Sequence, residues 1–119
     1  MSQSIHTTIH QLRDSVLTSP GEITSEERQR VARWSAHPEA GPAEQQFSEP
    51  LASLVTKVTY AAYQVTDEDI QRLRDAGYSE DAILELVTSA AVGAAMRRYE
   101  QGMAALQALK GVSDATDGA

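Results

Sequence analysis

Cysteine is absent from all 119 residues. That excludes disulfides, thiolate metal sites and thiol catalysis within this chain. It fits a reducing compartment, and the expected localisation is cytoplasmic. Aromatic residues make up only 5%, so the core must be built from Ala, Val, Leu and Ile, side chains with which helices pack closely. Clusters of basic residues are lacking as well. The formal net charge is -7, and no basic run exceeds the Arg97-Arg98 pair. Tracking of a nucleic-acid backbone and attraction to an anionic membrane are therefore not expected. The N-terminus has no basic segment leading into an apolar run, so no signal peptide is expected. No apolar stretch reaches the roughly 20 residues that a membrane span needs. A Gly-rich phosphate loop, a Ser-His-Asp arrangement and a cofactor motif are also missing.

What is present is ordinary globular material, with 41% hydrophobic and 23% charged residues. This composition predicts one folded domain over residues 1-110 and a small, polar, disordered tail over 111-119. The periodicity predicts an all-α fold of five helices. Ile5, Ile9, Leu12 and Val16 form one helical stripe, ended by Ser19-Pro20-Gly21. A second helix starts at Thr24, whose pairing with Glu27 reads as a capping box. Its apolar content is low, which predicts a surface helix anchored by Trp34. Residues 36-47 form a loop broken by two prolines and a glycine.

The third helix has Ser48 as cap, Pro50 in its first turn, and Leu51, Leu54, Val55, Val58 and Ala62 on its buried face. The fourth is short, with Thr66 as cap, three acids in the first turn and Gly77 as a left-handed stop. Ser79 caps the fifth, which runs to about Leu109. From Leu86 to Met96 that helix has no charge, and Ser89 to Ala95 are small on every face. A glycine inside a helix costs about 1 kcal/mol relative to alanine. Gly93 therefore predicts close approach of another backbone. A helix that is small and apolar all round is surrounded by its neighbours. This one is expected to be central to the fold or to a subunit interface through Ala90, Ala91, Gly93 and Ala94.

The stretch from Val65 to Leu106 carries a valine, a Thr cap, an acidic turn, Leu73, Ala-Gly-Tyr-Ser, a second acidic turn and an apolar helix leading to Arg98. It resembles the C-terminal helices of the alkylhydroperoxidase D-like, carboxymuconolactone decarboxylase-like family. The resemblance rests on Thr66, Asp67, Asp69, Leu73, Gly77, Ser79, Ile83, Leu84, Glu85, Ala90, Ala91 and Arg98. It implies an all-helical fold and assembly into homo-oligomers through helices. In that family a Cys-x-x-Cys pair reduces peroxides. Here SAHPEAGPAEQQF stands in that region without a cysteine, so no catalytic residue carries over by position.

Several side chains have two readings. Lys57, three residues from Tyr60 on an apolar helix, is either a base with a lowered pKa or a stem that packs while its ammonium reaches outward. Glu85 borders the charge-free stretch and is either an acid/base group or one half of a structural ion pair. His37 lies in the region of the family's active site. Trp34, Tyr60 and Tyr63, with Tyr78 and Tyr99, either line a ligand pocket or fill core and interface. His6 and His10 sit four apart with Arg13 nearby. Two imidazoles at that spacing can hold a metal, but a catalytic zinc takes three protein ligands, and a solvated flank is the simpler reading.

The leading expectation is a cysteine-free, non-peroxidatic relative of the family. It would act as a structural or regulatory homo-oligomer, or by binding a protein partner. Two alternatives remain. One is a decarboxylase-like enzyme using His37, Lys57 or Glu85 on a small carboxylated substrate. The other is a small-molecule binding module roofed by the Ala36-Phe47 loop. An apolar cavity beneath that loop, with His37 over it, would favour these alternatives.

Overall fold

The computed structural model describes the backbone of residues 2-117 and the side chains of residues 5-111. Five α-helices follow one another: α1 (Ser2–Thr18), α2 (Ser25–Ala36), α3 (Leu51–Ala61), α4 (Asp67–Asp75) and α5 (Glu80–Asp117). Short 3₁₀ turns occupy Pro38–Ala40, Ala43–Gln45 and Ala62–Gln64. No strand occurs among the described residues, and none of their helices is long and apolar enough to cross a membrane.

Local signals set most helix ends. Thr24 accepts the backbone N–H of Glu27 at 3.2 Å and opens α2. The expected return bond from the Glu27 side chain is not made, so this is a simple cap. At α4 the box is complete: Thr66 Oγ1 accepts from Asp69 N at 3.2 Å, and Asp69 Oδ2 accepts from Thr66 N at 2.9 Å. Gly77 ends α4 with φ of 104°, a conformation that glycine adopts without strain. Its N–H reaches Arg74 O and that of Tyr78 reaches Leu73 O, the paired bonds that satisfy a helix's last carbonyls. Ser79 Oγ then accepts from Ala82 N at 3.1 Å to start α5. Two boundaries differ from the sequence reading. Pro50, after a cis peptide bond, is itself the N-cap of α3, in place of Ser48. The backbone of α5 stays helical to Asp117, where an end near Leu109 and a disordered tail from 111 were expected.

The core forms where α5 packs against both α2 and α3. Val31, Trp34, Leu51, Leu54, Val55, Leu73, Leu86 and Ala90 fill it. Helix α2 is thus part of the core, although its composition suggested a surface position. Its low apolar content is deceptive because two polar residues are buried with partners. Ser35 receives the hydroxyl of Thr59 from α3 at 2.9 Å. Arg28, 4% exposed, donates to Val16 O at 2.8 Å and also to Ser19 O, closing the end of α1. Only its Nε lacks a partner. On α3, Leu51, Leu54, Val55 and Val58 are buried as expected, whereas Ala62 falls in the following 3₁₀ turn and is exposed.

Gly93 explains the α2–α5 crossing. A β-carbon there would lie 2.2 Å from the carbonyl oxygen of Ala32 and 2.8 Å from Cβ of Ser35. The expected close backbone approach is therefore made, and made within one chain. Ala90 and Ala94 are buried in the same crossing, so of the four residues expected at a subunit interface only Ala91 is exposed.

The far part of α5 leaves this core. The radius of gyration is 17.2 Å, against about 13.5 Å for a compact chain of this length. The long axis measures 63 Å, close to the roughly 57 Å that a helix of this length spans. From Glu100 to Gly111 every residue is exposed except Met103, which is half-buried.

Candidate functional site

Three helices, α1, α2 and α5, build a groove. Helix α2 runs alongside α5 in the same direction: Ile23 is tied to Glu85, Ala32 touches Gly93, and Glu39 lies 3.7 Å from Arg97. Helix α1 runs the opposite way, with His6 Nδ1 2.9 Å from the hydroxyl of Tyr99. Between α1 and α2, above α5, a groove of about 380 Å³ opens. Its apolar lining comes from Leu17, Ala32, Val92 and Met96, with Gly93 among them. Arg13, Asp14, Arg33, His37 and Glu100 supply charged and polar groups. Arg13 is already paired with Asp14 at 2.9 Å.

The candidate acid/base residues are dispersed. His37 lines this groove and ends α2; its side chain is exposed, 3.8 Å from Glu39. Lys57 stands elsewhere, its ammonium 2.9 and 2.8 Å from the two oxygens of Asp69. That ammonium, followed by the Thr66 N–H, holds the Asp69 carboxyl below the usual aspartate value. Lys57 is thus the cationic half of a structural pair. Glu85 accepts the N–H of Glu22 at 2.9 Å and of Ile23 at 2.7 Å. Its carboxylate fastens the α1–α2 turn to α5, a use of the charge that neither sequence reading anticipated. A β-carbon on Gly21 would fall 1.9 Å from Glu85 Oε1, so the bare glycine lets the carboxylate in.

The Ala36-Phe47 loop is anchored to the core. Ala43 and Phe47 insert into the core, and Gly41 O accepts from Trp34 Nε1 at 2.8 Å. Arg30 clamps the end of the loop, with its guanidinium 5.3 Å from the Phe47 ring centre and a 2.7 Å bond to Gln46 O. Pro38, Gly41, Pro42 and Ala43 of the loop, with Trp34 and Tyr60, line an open depression of about 480 Å³ whose lining does not include His37. Trp34 itself is buried, and Tyr63 is 86% exposed and away from both. Tyr78 packs on the core. His6 and His10 meet edge to face, with ring centres 4.2 Å apart. No third metal-binding side chain joins them among the described residues.

Sequence reasoning missed the face of α1 that meets α5. The stripe Ile5, Ile9, Leu12 and Val16 is the apolar face that the periodicity marks, but it is not the face turned to α5. Ile5 is 59% and Leu12 62% exposed, and Ile9 and Val16 are half-buried. The side toward α5 is the His6, Arg13 and Leu17 side. No family model, no curated protein and no solved structure matches this chain. The family resemblance rests on the residues between 65 and 106 named above.

Proposed function

We propose that this chain is a non-catalytic, self-associating helical protein, a cysteine-free relative of the alkylhydroperoxidase D-like family. Its assembly surface would be the outer stripe of α1 together with the distal part of α5. The observation that carries this reading is the pair of uncovered apolar segments. Leu106 is 61% and Leu109 68% exposed on the distal part of α5, where every residue from Glu100 to Gly111 except Met103 is exposed. Ile5 and Leu12 repeat the pattern on α1.

The occupant proposed for both is a second copy of the chain, and charge is the argument. The chain carries -7 overall, yet α1 contains only the paired Arg13 and Asp14. Between Glu100 and Asp114 the sole charge is Lys110. Two identical acidic chains repel least where they meet through such neutral segments. The dispersal of His37, Lys57 and Glu85, two of them engaged structurally, supports a non-catalytic role. A protein partner with an apolar helix would be an alternative outcome.

Sedimentation equilibrium of the full chain tests the proposal. The expected result is a dimer or higher closed oligomer at micromolar concentration. Leu106→Asp with Leu109→Asp should give a monomer of unchanged helicity. A wild-type chain that stays monomeric throughout that range would overturn it.

A further inference from the structure

The groove between α1, α2 and α5 suits a ligand class that self-association does not call for. We infer that it binds a small monocarboxylate with a short aliphatic body. Three observations lead there. The volume, about 380 Å³, falls within the range of small-molecule sites. Leu17, Ala32, Val92 and Met96 give one part of the lining an apolar character, which suits a short hydrocarbon body. The side chain of Arg33, on the same lining, makes no hydrogen bond or ion pair among the described residues.

Arg33 is the distinguishing group. A guanidinium presents a planar fork of donors that matches a carboxylate with two parallel bonds. The other arginine of the groove, Arg13, is held by Asp14 at 2.9 Å, which leaves Arg33 to receive the ligand's charge. Asp14 and Glu100 share the groove. The two carboxylates and the two guanidinium groups balance one another within the lining. A dicarboxylate or a phosphate would meet those acids, whereas a single carboxylate needs only the uncommitted arginine. A cation attracted by Glu100 alone would be the competing occupant, and the experiment separates the two.

Hexanoate is a suitable probe, titrated into isotopically labelled full-length chain and followed by backbone amide shifts. The expected result is saturable movement of Ala32, Val92 and Met96 at millimolar concentrations or below. Arg33→Gln, an exposed change, should weaken it at least tenfold, and Arg33→Lys should recover part of the loss. Hexanol and hexylamine should bind at least tenfold more weakly than hexanoate. No saturable movement at those amides would overturn the inference, as would equal binding of hexylamine or an unchanged affinity in Arg33→Gln. The sedimentation behaviour of the same samples reports self-association separately, so failure of one reading is not failure of the other.

Discussion

The backbone of Gly93 rests against the carbonyl oxygen of Ala32, with a space of only 2.2 Å between that oxygen and the position a β-carbon would take. The obstacle is backbone rather than the tip of a flexible side chain. Gly93→Ala must therefore push α2 and α5 apart. Alanine gains about 1 kcal/mol in helix propensity, while overpacking a tight contact costs typically 1–3 kcal/mol and more where backbone must move. The clash should win. Urea denaturation is expected to show a net loss of about 1–2 kcal/mol, whereas Gly102→Ala, with open space around it, should be neutral or stabilising. Equal stability of the two variants would refute the crossing as described.

Glu85 is expected to behave as a tie and not as a catalytic acid. Its two oxygens take the N–H groups of Glu22 and Ile23. Hydrogen bonds to a charged acceptor contribute roughly 1.5–3 kcal/mol when well shielded, and this one is only half-buried. Glu85→Ala should cost about 1–2 kcal/mol. The more specific readout is amide hydrogen exchange, which should accelerate at Glu22 and Ile23 while exchange across the α2–α5 crossing changes little. Unaltered exchange at both amides would remove the tie.

The Lys57–Asp69 pair gives the fold an acid-sensitive component. Asp69 is held below its ordinary value of 3.8, first by the Lys57 ammonium and next by the Thr66 N–H. A carboxyl that ionises more readily in the folded chain stabilises the fold above its unfolded pKa. That stabilisation is lost as pH falls through the unfolded value and then the folded one. The window therefore lies below about pH 5. Asp69→Asn should lower stability at neutral pH by about 1–3 kcal/mol, since it unpairs Lys57 and weakens the α4 cap. Its stability should also decline less steeply than that of the unaltered chain between about pH 5 and 2. Parallel slopes would mean that Asp69 does not titrate differently on folding.

How much of this was legible depended on the range of the interaction. The Thr66 cap and the Gly77 stop are decided within a few residues, so α4 could be read directly. Gly93 announced a close approach because its helical penalty needs a compensating contact, but the sequence did not say whose backbone approaches. Helix α2 was misplaced because Arg28 and Ser35 look like surface residues until the α1 carbonyls and Thr59 are brought to them. The α1 stripe was identified correctly as apolar, yet its periodicity carries no information about which face the rest of the chain covers. The groove escaped for the same reason: Arg33, Leu17 and Val92 meet only after three helices pack.

The uncovered helices finally predict how association should respond to salt and to trimming. Surface ion pairs are screened within about 8 Å at physiological ionic strength, so an interface held by charges weakens as salt rises. One formed by Ile5, Leu12, Leu106 and Leu109 has almost no charge to screen. Its dissociation constant should change less than about threefold from low to near-molar salt, or tighten as excluded salts strengthen apolar burial. Leu106→Ala removes apolar area worth about 1–1.5 kcal/mol from each copy. In a symmetric dimer the loss counts twice. The total, about 2–3 kcal/mol, corresponds to roughly one hundredfold in the dissociation constant. The folded monomer should keep its melting temperature when measured below that constant, because Leu106 is 61% exposed within the single chain. Strong weakening by salt, or a Leu106→Ala chain that associates as tightly as before, would place the contact on another surface.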